Sequence, residues 1–359
     1  MIPAHVARRW FTGLGFQPRL FWPTLAGLCV VLFAGATGRQ VAAAGQAVQE
    51  GSIGGLTSKF VDVKGIRTRY YDEGQGEPVV LVHGGSTAGS STANVWARNI
   101  AGLAKRFRVL AVDRLGSGLT GNASDNEYGT QAQAQFLNEF IRAMKLGPVN
   151  LVGHSAGGGV ALAVAAEQPS AIRTLAIIAH GAGGADRAAD NPTRLNDALK
   201  TCPDQTVYEG LRCRVEKLAW HTDTFDKDYW TADSYMATLP KSRAARAAIA
   251  AQASDAGRAA RTTAFRERIL SLVRNDGVLK IPVLLYLGKN DVIDWGVKEP
   301  VATLKSQLGM FDVLSAKNTR VQLIILNDSG HFMYREHPEQ FNRDLTSFIE
   351  FWRNNPNAK

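Results

Sequence analysis

The sequence lacks the usual signs of a metal protein, a repeat protein or a nucleic-acid-binding protein. It has three cysteines in 359 residues, and it has neither a CxxC pair nor a histidine cluster that would indicate a metal site. The net charge is +9, but the basic residues form no block, which argues against a nucleic-acid partner. No segment repeats. The hydrophobic share of 45% and the charged share of 20% are ordinary for a globular chain with a sizeable core.

The first 44 residues lack acidic side chains and contain a long apolar run, Leu20–Thr37. Their basic residues are Arg8, Arg9, Arg19 and Arg39. This combination predicts a signal peptide or a membrane anchor over residues 1–44. The small residues of Val41–Gly45 favour cleavage after Ala44, so we expect an exported protein, periplasmic or secreted. If the segment is retained, it anchors the chain and is the only membrane contact that we expect.

The rest of the chain alternates between strand and helix patterns. A polar, glycine-rich linker over residues 45–58 precedes a first core segment, 59–181, and a second core segment follows over 279–359. Repeated alternation predicts the α/β class, with a mostly parallel sheet covered by helices on both faces. Residues 182–278 show helical runs without a convincing strand, which indicates a helical insertion into the core.

The stretch NLVGHSAGGGV places Ser155 between a strand pattern and a helix pattern. A sharp strand-to-helix turn with glycines two residues either side of the serine is typical of a nucleophile elbow. The amide of Ala156, at the helix N-terminus, can donate to a developing oxyanion. The loop LVHGGS follows an earlier strand, and the amide of Gly85 is the predicted second donor.

A histidine and an aspartate follow later strands in the order that such a serine requires. His331 comes directly after a late apolar strand and is the predicted general base. Asp291 ends an intermediate strand and is the predicted acid, with Asp186 as the alternative after the preceding strand. The 40 residues between Asp291 and His331 predict an extra turn or loop before the histidine.

The joint pattern of elbow, glycine loop, acid and histidine resembles the α/β-hydrolase superfamily over about Ser58 to Trp352. The resemblance implies that Ser155, Asp291 and His331 form a catalytic triad and that residues 182–278 form a cap. The segments HGGS, DRLGSG and GHFMYREHPEQF look most like hydrolases that cleave the carbon–carbon bond of meta-ring-fission products, and like small-molecule esterases. Those carbon–carbon hydrolases usually carry tryptophan where Phe332 stands here, and they are normally cytoplasmic.

Other residues are predicted to contact the substrate or to join the cap. The aromatic cap residues Trp220, Tyr229 and Trp230 could line an apolar pocket, and cap–core packing is the alternative for each. Residues beside the motifs are further candidates: Ser86, His154 and Phe332. Cys202 and Cys213 would form a disulfide in an oxidising compartment; otherwise they are two unrelated thiols.

Three functions fit this pattern. The first is an exported serine hydrolase that cleaves a small or medium carboxylic ester or lactone through an acyl-enzyme. The second is a carbon–carbon bond hydrolase, which needs a carboxylate-binding group in the cap. The third is a ligand receptor on the same fold. We expect a small-molecule substrate, no nucleic acid, and neither a metal nor an organic cofactor; the oligomeric state stays open.

Overall fold

An eight-stranded sheet is the centre of this computed structural model. The structure describes residues 51–85, 91–181, 197–204, 208–292 and 305–358, all within one compact unit, residues 45–359. The strands are β1 Lys59–Val63, β2 Ile66–Glu73, β3 Pro78–Val82, β4 Arg108–Val112, β5 Val149–His154, β6 Ile172–Ile178, β7 Val283–Gly288 and β8 Val321–Leu326.

The strands lie in the order β1-β2-β4-β3-β5-β6-β7-β8. β2 pairs antiparallel with β1 and with β4, and every later pairing is parallel. Parallel strands need long crossovers, so helices alternate with strands along the chain. The predicted class, a mostly parallel sheet in an α/β fold, is confirmed.

Helices cover both faces of the sheet. They are α1 Ala97–Leu103, α2 Thr130–Ala143, α3 Ala156–Glu167, α4 Tyr208–Leu218, α5 Lys227–Thr238, α6 Pro240–Ala253, α7 Ala256–Arg274, α8 Lys305–Ser315, α9 Met333–Glu336 and α10 Pro338–Asn354. Apolar side chains of α2, α3, α7 and α8 pack on one face, and those of α1 and α10 pack on the other. The two faces are called the α3 face and the α10 face below.

Hydrophobic runs and helical spacing explain where these elements lie. All six residues of β5 and all six of β7 are buried, as expected for strands covered on both sides. Helix α3 is apolar all round and lies in the interior. Helix α10 buries one stripe: Phe341, Leu345, Phe348, Ile349 and Trp352.

Helices α4 to α7 lie between β6 and β7, within the segment predicted to be a helical insertion. No strand occurs in the described part of this segment. Phe265, Ile269 and Val273 of the last helix join the core on the α3 face, as does Ala245 of α6. Helix α7 therefore belongs partly to the layer that covers the sheet.

Two sequence expectations need correction. The predicted linker is packed in its described half, residues 51–58, because Ile53 and Leu56 are buried and the Gly51 carbonyl accepts hydrogen bonds from Arg69 and Tyr71. The segment between Asp291 and His331, predicted to hold an extra turn or loop, contains the 11-residue helix α8. A crossover helix is what joins two parallel neighbours such as β7 and β8.

No helix among the described residues is long and apolar enough to span a membrane. The predicted signal peptide or anchor, residues 1–44, lies outside the described residues.

Candidate active site

Ser155 lies in a sharp turn between β5 and α3. Its φ of 52° and ψ of −124° are strained for a residue with a side chain, and its amide donates to the Ile178 carbonyl at 2.8 Å. A Cβ at Gly153 would collide with the Gly157 carbonyl, and one at Gly157 would collide with the His83 carbonyl. The turn therefore requires glycine at both positions, which is the physical basis of the nucleophile elbow.

Asp291 and His331 meet at the carboxyl ends of β7 and β8. His331 Nδ1 lies 2.9 Å from Asp291 Oδ2, and both side chains are buried. Because a carboxylate can only accept, Nδ1 carries the proton, and Nε2 of the neutral ring is left to act as a base. Gln307 Nε2 lies 3.3 Å from the same carboxylate oxygen. The alternative acid, Asp186, lies outside the described residues.

His154 links the nucleophile elbow to the histidine loop. It precedes Ser155, and its Nε2 donates to the His331 carbonyl at 2.9 Å, while the two rings lie 4.7 Å apart. The Tyr334 hydroxyl donates to Nδ1 at 3.2 Å. Burial, followed by the neighbouring His331, lowers the pKa of His154 well below its ordinary value. His154 is thus a neutral structural group between two loops, in contrast to its predicted role in substrate binding.

The predicted oxyanion donors lie on either side of the elbow. Ala156 is the first residue of α3, so its amide has no acceptor within the helix. The backbone of Gly84 lies close to Ser155, because a Cβ at Gly84 would be 2.8 Å from the Ser155 Cβ. Gly85, which follows it, has a φ of 87°, a conformation that favours glycine.

Two buried side chains fix the peptide planes of this glycine loop. His83 Nδ1 donates to the Gly84 carbonyl at 2.8 Å, and Arg114 Nη2 donates to the Gly85 carbonyl at 2.6 Å. Because carbonyl and amide point in opposite directions in a trans peptide, the Gly85 N–H points away from His83. Burial, helped by the charge of Arg114, lowers the pKa of His83 to about 3, so this donor stays neutral.

Glu336 holds the histidine loop, a role that the sequence did not reveal. Its Oε2 accepts from the Gly330 amide at 2.7 Å, and its Oε1 accepts from the Trp220 amide at 3.0 Å. The His331 amide also donates to the Leu218 carbonyl at 3.3 Å. Hydrogen bonds therefore join the backbone around His331 to the C-terminal end of α4 and the residues that follow it.

The other predicted substrate residues that the structure describes make contacts within the protein. Tyr229 and Trp230 are buried and pack on Phe225, so they contribute to cap packing. Phe332 is buried against His154 and His331, and Trp220 Nε1 donates to Asp328 at 2.7 Å. These contacts favour structural roles for all four aromatic residues. Ser86 lies outside the described residues.

A buried acid, Asp233, joins helix α5 to the core. It lies on α5, and it accepts from the Thr92 hydroxyl at 2.9 Å and from Asn94 Nδ2 at 2.8 Å. Burial raises the pKa of Asp233 to about 7 despite these hydrogen bonds. On the core side, Arg69 donates to Asn94 Oδ1 and pairs with Asp113 at 3.0 Å. Sequence reasoning missed this network because its members are far apart in the chain.

The structure joins Cys202 and Cys213 in a disulfide. The bond ties the described residues before α4 to that helix, in which Cys213 lies. Within the described ranges, no group of three or more histidine, cysteine or acidic side chains is placed to hold a metal ion. Ser155, Asp291 and His331 thus lie at the carboxyl ends of β5, β7 and β8.

Comparison with known proteins agrees with this fold. Residues 77–338 match the α/β hydrolase fold family, and the chain belongs to that family. It is an enzyme of the hydrolase class.

Named relatives are hydrolases. Over 303 residues the chain is 27% identical to a 2-hydroxy-6-oxo-6-(2'-aminophenyl)hexa-2,4-dienoic acid hydrolase of Metapseudomonas resinovorans, which covers 84% of this chain and 94% of the relative. A solved 2-hydroxy-6-oxo-6-phenylhexa-2,4-dienoate hydrolase from a Rhodococcus strain has a TM-score of 0.64 at 18% identity, over 82% of this chain and 99% of the other. A membrane phospholipase A has a TM-score of 0.61 at 21% identity, over 92% and 97%. The two solved structures are evidence of the fold alone.

Proposed function

We propose that the protein is a serine hydrolase that cleaves the carbon–carbon bond beside a ketone in a dienoic keto acid, with Ser155, His331 and Asp291 as its triad. The chemistry rests on the hydrogen bond between His331 Nδ1 and Asp291, since it leaves a neutral imidazole nitrogen as the base. The substrate class is supported by the relative named as a 2-hydroxy-6-oxo-dienoic acid hydrolase, which matches most of this chain. The ester substrate expected first has no comparable support.

The proposed reaction proceeds by acyl transfer. The substrate first tautomerises to its 2-keto form, in which the proton of the 2-hydroxyl group has moved to the carbon beside the 6-ketone. His331 takes the proton from Ser155 as the serine oxygen bonds to the ketone carbon, and the Gly85 and Ala156 amides stabilise the oxyanion. When the carbon–carbon bond then breaks, its electron pair passes through the remaining double bond to the 2-keto oxygen, which takes a proton from the imidazolium. Water then hydrolyses the acyl-enzyme by the same steps. No metal or organic cofactor takes part in this proposal.

A second candidate, an ester hydrolase, is favoured by Asp233. A keto acid needs a cation for its carboxylate, but the buried cap carboxyl that reaches the core network is an acid. Arg335 is a buried cation covered by Phe225 and Tyr229, with no exposed surface. Arg69, also fully buried, is paired with Asp113. A neutral ester would not require a carboxylate-binding group.

One assay separates the two candidates. Purified protein would be given 2-hydroxy-6-oxo-6-phenylhexa-2,4-dienoate and a panel of aryl and alkyl esters, with Ser155→Ala as the control. We expect Ser155-dependent cleavage of the dienoate with kcat/KM well above that for any ester. Ester turnover without dienoate turnover would establish the second candidate and refute the first. Turnover that survives in Ser155→Ala would refute both.

We also propose that the protein is exported. The acid-free, arginine-containing start of the chain and its apolar run support a signal peptide. The disulfide between Cys202 and Cys213 supports an oxidising compartment. Mass spectrometry of the protein from the native cell is expected to give an N-terminus at Gly45. An intact N-terminus in a cytoplasmic fraction would contradict export.

A further inference from the structure

A pocket of about 280 Å³ lies at the amino-terminal edge of the sheet, opposite to the candidate active site. Strands β5 to β8 are parallel neighbours, so their amino-terminal ends meet there. The pocket lining includes Arg173 at the start of β6, Lys280 shortly before β7 and Arg320 directly before β8. The last turns of α10 add Trp352 and Arg353. The fold thus gathers four basic side chains around one cavity.

This pocket is separate from the triad. Asn150, the second residue of β5, lines the pocket, and Ser155 follows the last residue of the same strand. Since each residue of a parallel strand adds about 3.3 Å, the pocket lies roughly 15–20 Å from Ser155. None of the described residues that the sequence predicts to act in catalysis or to bind substrate lines it. A ligand in this pocket is therefore out of reach of the catalytic serine.

The pocket holds more positive charge than its own acid balances. Glu77 is the acid in the described lining, and it pairs with Arg173 at 3.4 Å and with Arg353 at 3.8 Å. Lys280 and Arg320 form no ion pair within the described part of the chain. Lys280 is exposed and Arg320 is half-buried, so both can be reached from solvent. Two cations without a carboxylate favour an anionic ligand.

Trp352 supplies both a ring face and an unused donor. The side chain is 6% exposed, and the Arg320 guanidinium carbon lies 5.5 Å from its ring centroid. Its Nε1 has no hydrogen-bond acceptor among the described residues, whereas a buried N–H normally has one. Because Trp352 lines the pocket, an oxygen of a bound anion can accept this hydrogen bond.

The remaining lining and the volume suit one flat apolar group. Ile281, Pro282, Ile349 and Pro356 are among the other lining residues. A cavity of roughly 150 Å³ accommodates benzene, and pockets for drug-sized ligands span roughly 300–1,000 Å³. A volume of about 280 Å³ therefore holds one aromatic ring together with a carboxylate or phosphate group.

We propose that this pocket is a second binding site, and that its ligand is a small aromatic oxyanion, a single ring that carries a carboxylate or a phosphate. Lys280 and Arg320 bind the oxyanion, and the ring lies against Trp352 and the apolar lining. The inference goes beyond the proposed function and does not depend on it, because no residue of the triad takes part.

Isothermal titration calorimetry of the purified protein tests the ligand class with four probes. Benzoate and phenyl phosphate carry both a ring and a charge, benzamide lacks the charge, and inorganic phosphate lacks the ring. We expect one molecule of benzoate or phenyl phosphate per chain, and binding of benzamide and inorganic phosphate at least about tenfold weaker. The tighter of the two aromatic anions identifies the oxyanion. Equal binding of benzamide or of inorganic phosphate would overturn the proposed ligand class.

Substitutions in the pocket locate the bound anion. Arg320→Gln and Lys280→Gln should each weaken binding of the aromatic anion about tenfold, because each removes a charge that contacts it. Arg274→Gln, at an exposed position of α7 outside the pocket lining, is the matched control and should bind as the wild type does. Fluorophosphonate labelling of Ser155 should be the same in all three variants, because none of these residues lies near the triad.

Tryptophan fluorescence gives a second readout. The chain has seven tryptophans, so a change in emission on binding is assigned through Trp352→Phe, which keeps an aromatic ring in the pocket. We expect benzoate to change the emission of the wild type and to leave that of Trp352→Phe unchanged. The same change in both proteins would place the ligand elsewhere and overturn the proposal.

The outcomes separate this site from the proposed function. Binding that is unchanged in both Arg320→Gln and Lys280→Gln, or that is lost in Ser155→Ala, would place the anion outside this pocket and overturn the inference. Labelling of Ser155 without any binding of an aromatic anion would overturn the inference alone. Binding that depends on Arg320, without labelling of Ser155, would support the second site and overturn the proposed function alone.

Discussion

Two regions of the molecule hold their buried polar groups in different ways: the carboxyl ends of the core strands, and the helices between β6 and β7, called the cap. At the strand ends, His83, His154 and His331 each have a defined hydrogen-bond partner that determines which nitrogen carries the proton. In the cap, Asp233 is a buried acid whose pKa burial raises to about 7, so it changes charge near neutral pH. We infer that the core fixes the chemistry, while helices α4 to α7 contribute stability. Substitutions in the core should therefore change kcat, and those in the cap should change stability.

The largest effect is expected from Asp291→Asn. An asparagine amide facing His331 Nδ1 favours the wrong tautomer, so kcat should fall by roughly 10⁴-fold, as in other triads. Asp186→Asn is the matched control and should retain most activity. Steady-state kinetics of both variants check this. The reverse order of effects would move the acid to the strand before the cap.

Glu336→Gln is expected to have an intermediate effect. Glutamine replaces one of the two accepting oxygens by an NH2 group, which would face the Gly330 or the Trp220 amide, donor against donor. Displacement of the His331 loop should lower kcat by roughly 10- to 100-fold and change KM little. Glu339→Gln, an exposed position close by, is the control. A change in KM alone would show that Glu336 acts on substrate binding instead.

Asp233→Asn should change the dependence of stability on pH. The pKa of Asp233 is raised in the folded state, so the native protein holds this proton longer than the unfolded chain does. The contribution of the carboxyl to stability is complete below about pH 4 and is lost as the pH rises to about 7. Asparagine keeps the acceptor oxygen and has no such loss.

Urea unfolding at several pH values checks the Asp233 prediction. The free energy of unfolding of Asp233→Asn, relative to the wild type, should increase between about pH 4 and pH 7 and then stay level. Taking the difference cancels the contributions of His83 and His154, whose lowered pKa values also make stability depend on pH. Asp276→Asn, at an exposed position, should track the wild type. A difference that does not vary with pH would show that Asp233 titrates normally.

The disulfide should have the smallest effect, confined to stability. Replacing Cys202 and Cys213 together by serine opens a loop with a sequence separation of 11. The free energy of unfolding should fall by about 2–3 kcal/mol by loop entropy, with kcat unchanged. Thermal unfolding and kinetics of the double variant check this. A lower kcat with an unchanged free energy of unfolding would show that the disulfide acts on the active site directly.

Local motifs allowed much of the fold and part of the site to be predicted. The elbow around Ser155 depends on residues within a few positions, so its sequence predicts its geometry. The position of Asp291 follows in the same way from a buried strand that ends at a loop. Neither Glu336 nor Asp233 carries such a signal, because their partners, Trp220 and Thr92, lie 116 and 141 positions away.

The aromatic cap residues show a different limit of sequence reasoning. For Tyr229 and Trp230 the sequence leaves a pocket and cap–core packing open, because apolar rings suit a ligand as well as they suit a core. Only the packing against Phe225 distinguishes the two roles. Helix α8, predicted as a turn or loop, was likewise apparent only once β7 and β8 proved to be parallel neighbours.

The most direct test is fluorophosphonate labelling of the purified protein, with the modified residue located by mass spectrometry. The account predicts one adduct, on Ser155, that is absent from Ser155→Ala although that variant remains folded by circular dichroism. Labelling of another residue, or no labelling of folded wild-type protein, would contradict the claim that Ser155 is an activated nucleophile.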